Sequence, residues 1–166
     1  MFKFIISILI FFVFFSPYLF ALDKTLTVFA DINKPHGQDS LFVDAKYKEY
    51  SSVYNSRINT FDPLDIRFVV GSKTASLGDS FSMLLVSRHF QCDVLGGGLE
   101  YITTQLEYDG TVVGEQAIEG IIFDMADSES VHKNMLLNLI FPTIERQTEL
   151  RPCEGSLSFI FELGNI

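Results

Sequence analysis

Gly78-Asp79-Ser80-Phe81 is where a nucleophile would be sought first, because a Gly-Asp-Ser serine works with an Asp-x-x-His late in the chain, and no such motif follows. The three histidines, His36, His89 and His132, fall in separate segments without His-x-x-x-His spacing, so they do not read as a metal set. Asp124, Asp127 and Glu129 form an acidic turn that lacks the glycine and spacing of a calcium loop, and read as a solvated acidic loop. Gly96-Gly97-Gly98 has no strand-to-helix setting in which to cradle a phosphate. The sequence therefore predicts no catalytic residue, no metal ligand and no cofactor. It does not read as an enzyme.

Stepping along the chain shows what such residues would have to be mounted on. Residues 1–21, MFKFIISILIFFVFFSPYLFA, place Lys3 before an apolar run from Phe4 to Phe15, then Pro17 and a small Ala21. That order is a cleavable signal peptide. The rival is a membrane anchor, since Phe4 to Phe20 is almost long enough to span a bilayer, but Pro17 and the switch to strand chemistry at Asp23 favour cleavage. The chain has 12 Lys+Arg against 21 Asp+Glu, and without Lys3 the remainder is 11 against 21, or −10. An acidic surface of this kind argues against nucleic acid or anionic lipid as a partner. In an exported chain the two cysteines, Cys92 and Cys153, with no C-x-x-C, read as one structural disulfide.

The rest is a series of short strand-like runs. Leu41–Val43, Tyr47–Tyr54, Asp65–Val70, Phe81–Val86, Ile118–Phe123 and Met135–Phe141 are expected strands, and Asn33–Asp39 is a loop by composition. Tyr101–Tyr108, Asp109-Gly110 and Thr111–Val113 read as a hairpin, because Asp-Gly supplies the positive φ of a tight primed turn. Ser156–Leu163 alternates through Leu157, Phe159, Phe161 and Leu163, while Asp127–Asn138 is the one segment with a helical period. Strands at this spacing describe an all-β sandwich of one domain, its aromatics filling the space between two sheets. Tyr47, Tyr50 and Tyr54 form an aromatic cluster that reads as core and rim, or as a binding surface.

Leu22–Ile32 alternates most clearly. Leu26, Val28, Ala30 and Ile32 face one way; Asp23, Thr25, Thr27 and Asp31 face the other. Standing first after the predicted cleavage site, such a strand can pair inside its own sandwich or complete the sheet of another chain.

Three segments resemble the major pilins of the CS1/CFA/I-type (alpha-class) chaperone–usher fimbriae. They are the opening Leu-Asp-Lys-Thr-Leu-Thr-Val-Phe-Ala-Asp-Ile, the hairpin Tyr101–Glu115 around Asp109-Gly110, and the closing Gly155-Ser-Leu-Ser-Phe-Ile-Phe-Glu-Leu-Gly164. The resemblance implies an immunoglobulin-like β-sandwich, incomplete and completed by donor-strand exchange. It divides the chain into a signal peptide at 1–21, a donor strand at 22–34 and a pilin domain at 35–166. The inserting residues would be Leu26, Val28, Ala30 and Ile32, and Leu157, Phe159, Phe161 and Leu163 would line the acceptor groove. Implied partners are identical or related pilin subunits joined head to tail, a periplasmic chaperone, an outer-membrane usher and a host-surface receptor, with the fibre at the cell surface. The cysteine pair and the bulky Phe29 depart from the family pattern, and the cysteines leave a minor subunit or a divergent branch open.

Overall fold

The computed structural model describes residues 25–33, 41–94, 97–144 and 152–164, which form strands joined by turns, bends and irregular connections. The predicted signal segment, His36 and most of the Asn33–Asp39 loop lie outside the described residues. One sheet runs in the order β10 (Ile118–Ile122), β6 (Ser80–Val94), β13 (Cys153–Leu163), β1 (Thr25–Asn33), β3 (Glu49–Asn55) and β4 (Thr60–Phe61), with β7 (Gly98–Tyr101) beside β6. The other runs β2 (Leu41–Ala45), β5 (Leu64–Ser72), β12 (Val131–Ile140), β8 (Gln105–Tyr108) and β9 (Thr111–Val112), with β11 (Met125–Ala126) beside β12. The fold is the all-β sandwich that the strand spacing predicts.

Period-two burial explains why these segments are strands. Along β13, Cys153, Gly155, Leu157, Phe159 and Phe161 are buried, and the residues between them are not. β5 does the same with Ile66, Phe68 and Val70. Aromatic side chains then tie the two sheets together. Phe68 of β5 meets Phe161 and Phe159 of β13 with ring centroids 5.5 and 6.2 Å apart, and Phe90 of β6 meets Phe141 at 6.0 Å. Each fully buried side chain of this size stabilises the fold by about 1.5–3 kcal/mol, and edge-to-face geometry adds to that.

Two expectations are revised. Asp127–Asn138, with its helical period, contributes to β12, because Val131, Met135 and Leu137 also satisfy a two-residue period and pair with β5 over nine positions. Tyr101–Tyr108 is not one strand: Tyr101 ends β7 in the first sheet, Gln105 starts β8 in the second, and Ile102 donates its N–H to the Phe90 carbonyl at 2.9 Å where the chain crosses. The turn after it is as the sequence predicts, with φ of 48° at Asp109 and 74° at Gly110.

Candidate functional site

The first described strand is not at an edge. β1 lies between β13 and β3 and joins them, since β3 otherwise pairs only with the two-residue β4. It runs parallel to β13 from Leu26 opposite Cys153 to Asn33 opposite Ile160, and antiparallel to β3 from Thr25 opposite Val53 to Phe29 opposite Glu49. Every other pairing among the described residues is antiparallel. Leu26 and Val28 are 0 % exposed. Withdrawing β1 would bare the edges of both neighbours and the apolar rows beneath it, a state that invites pairing with another chain.

The register shows which predicted site residues meet. Leu26, Val28, Ala30 and Ile32 stand opposite Cys153, Gly155, Leu157 and Phe159. Phe161 and Leu163 lie beyond the end of β1, where Phe161 packs on Phe68 and Phe81 in the general core and Leu163 is half-buried. Sequence reasoning did not find Gly155 or the far wall of the slot, where Val28 pairs with Tyr50 and Leu26 with Ser52. Ser52 is itself buried, its hydroxyl donating to the Asp62 carbonyl at 2.5 Å. A single glycine inside an alternating apolar run was the signal available for Gly155, because it marks a close approach in a strand.

Cys92 and Cys153 form a disulfide and are paired opposite one another on β6 and β13, so the bond closes the row that begins with Leu26. No free cysteine exists among the described residues.

The other chemistry-bearing residues are dispersed. Ser80 begins β6, nine residues from His89 on the same strand, roughly 30 Å at 3.3 Å per residue. His89 Nε2 lies 3.0 Å from Gln91 Oε1, and Gln91 Nε2 donates to Glu154 Oε1 at 2.7 Å. Asp127 accepts the N–H groups of Glu129 and Ser130 at 2.8 Å each, which holds its carboxyl below the usual aspartate range. Lys133 donates to Asp124, which lowers the Asp124 carboxyl and raises the Lys133 ammonium. Burial pushes the Tyr108 phenol up, against the opposing charge of Lys133. Among the described residues no cluster of His, Cys, Asp and Glu has the makings of a metal site.

The tyrosine cluster separates. Tyr47 is 54 % exposed, Tyr50 bonds through its hydroxyl to the Arg67 carbonyl at 3.2 Å, and Tyr54 packs edge-on against Phe61. Near Arg67 an open cleft of about 560 Å³ crosses β2, β5 and β12, lined by Asp44, Lys46, Arg67, Val69, Asn134 and Leu136 among others.

No family model matches the sequence, and no curated protein is similar to it. Among solved structures, the chain is similar to the CooA pilin subunit from enterotoxigenic Escherichia coli, with a TM-score of 0.44 and 8 % identity over 86 % of this chain and 99 % of that one.

Proposed function

We propose that this chain is an exported fimbrial subunit that polymerises head to tail, its β1 strand leaving its own sandwich to fill the equivalent slot of the next copy. The observation behind this reading is the position of β1: a strand near the start of the chain that is central in its sheet and bridges two strands otherwise unjoined. A terminal strand can be traded without unravelling the elements that follow it. Backbone pairing with β13 and β3 would give affinity, and the buried side chains of Leu26 and Val28 would give specificity. Donor and slot are different surfaces, so the contact propagates and does not close. An empty slot would need protection during export, the role of a periplasmic chaperone, with an outer-membrane usher ordering the exchange. A host-surface receptor would be met by the finished fibre.

A second reading is a monomeric exported β-sandwich that binds a ligand, as a minor or tip subunit would. The pairing of β1 within its own sheet and the cleft beside Arg67 favour it.

Size-exclusion chromatography and negative-stain microscopy on residues 22–166 and 34–166 separate the two. Under the exchange reading, the longer protein forms SDS-resistant ladders or thin fibres when concentrated. The shorter one forms none, and binds a synthetic 22–32 peptide. A longer protein that stays monomeric at every concentration, with a shorter one that ignores the peptide, refutes exchange.

A further inference from the structure

Among the inward positions of β13 opposite β1, Gly155 alone has no side chain, and its place is taken. The Phe90 ring lies over it so closely that a Cβ at 155 would overlap the ring. The pairing sets Phe90, Gly155, Val28 and Tyr50 in one row across four strands. The ring leans from β6 onto β13, towards the strand that holds Val28. Phe90 is 2 % exposed, is met edge-on by Phe141 at 6.0 Å, and its carbonyl holds the Ile102 N–H. The row on one side contains the Cys92–Cys153 disulfide opposite Leu26, and the row on the other contains Leu157 opposite Ala30.

We propose that the Phe90 ring seated over Gly155 is the register key of the slot, selecting a valine-sized side chain at the position of Val28 in whichever strand enters. That strand is β1 of the same chain in this structure and, resting on the exchange reading above, β1 of a second copy in a fibre. A slip of one residue turns Thr27 inward and Leu26 and Val28 outward. A slip of two in one direction brings Leu26 onto the ring row and the Lys24 ammonium to the disulfide row, an overpacked site beside a charge in a dry one. The opposite slip sets Ala30 on the ring row and leaves it underfilled. The observed register avoids all three faults.

The test is hydrogen exchange on residues 22–166, comparing amides 26–29 of β1 with amides 137–139 of β12 as an internal reference. It is joined to competition by labelled 22–32 peptides bearing Val, Ala or Leu at position 28. Gly155→Ala is expected to speed exchange in β1 at least tenfold more than in β12. In the unaltered protein the leucine peptide competes at least tenfold less well than the valine peptide, and Phe90→Leu is expected to erase that difference. Equal acceleration of β1 and β12, or an unchanged peptide ranking in Phe90→Leu, overturns the proposal. Phe90→Leu keeps the question decidable if Gly155→Ala does not fold. Absence of fibres with both arms as expected would sink exchange between copies and leave the register key in place.

Discussion

If β1 must leave its own sandwich for subunits to join, tying it there has to stop polymerisation. Thr27 of β1 is paired directly opposite Ser51 of β3. Thr27 lies between the buried Leu26 and Val28, and Ser51 is exposed beside the buried Ser52, so both face outward. Directly opposed antiparallel residues have Cα atoms about 4.5–5.5 Å apart, within the range that a disulfide spans. Thr27→Cys with Ser51→Cys should therefore cross-link spontaneously under oxidising conditions. The new loop spans 24 residues (51 minus 27), for which chain entropy gives about 3 kcal/mol of added stability against release of β1. That is roughly a 160-fold smaller population of the open form. Polymerisation proceeding through the open form should slow by the same factor, read as the growth of SDS-resistant ladders with time. Mild reductant should restore it, because the added bond is exposed while Cys92 and Cys153 are 8 % and 7 % exposed. A cross-linked protein that polymerises at the unaltered rate would mean that β1 never leaves, and fibre contacts would have to be sought elsewhere.

Val28→Asp should release β1, because an unpaired carboxylate in a fully buried row costs several kcal/mol; the sandwich should still accept an unaltered 22–32 peptide, measured by fluorescence anisotropy. Cys92→Ser with Cys153→Ser opens a crosslink of sequence separation 61, about 4 kcal/mol by loop entropy, and should lower the melting midpoint by roughly 10–15 °C under oxidising conditions. Phe159→Ala removes a buried ring of β13 that packs on Phe68 of β5 and should cost about 3–5 kcal/mol in chemical denaturation. Asp127 has a folded pKa below its unfolded value, so its contribution is full above about pH 4 and fades as pH falls through the lower folded value. Asp127→Asn should accordingly lower the melting midpoint at pH 7 and have little effect near pH 2.

The sheet architecture was legible because most strands bury one face, and burial writes a period of two into Leu157, Phe159 and Phe161 or Ile66, Phe68 and Val70. The disulfide was legible from an even cysteine count and the expected signal segment before it. What the sequence concealed lies where a local pattern serves two neighbours at once. β12 displays a helical period because Lys133, although in inward phase with Val131 and Met135, turns to meet Asp124 and breaks the alternation. The crossing at Ile102–Thr104 is hidden because the residues on either side are equally strand-like, and only contact with Phe90 shows that the chain has changed sheets. The slot was half legible: alternation marked Leu26 and Val28, but a groove wall made of Gly155 and a ring borrowed from β6 has no side chain of its own to announce it. Alternation also says nothing about direction, and β1 is the strand for which direction matters.

Because β1 is parallel to β13 and antiparallel to β3, those two neighbours run antiparallel to one another. Any strand between them must match one and oppose the other. As folded, β1 makes its longer contact, from Leu26 to Asn33, in the parallel sense and its shorter one, from Thr25 to Phe29, in the antiparallel sense. Parallel pairing is slightly less stable per residue. The chain imposes this arrangement on itself, since β1 enters the slot from a fixed side and only residues 34–40 separate it from β2 in the opposite sheet.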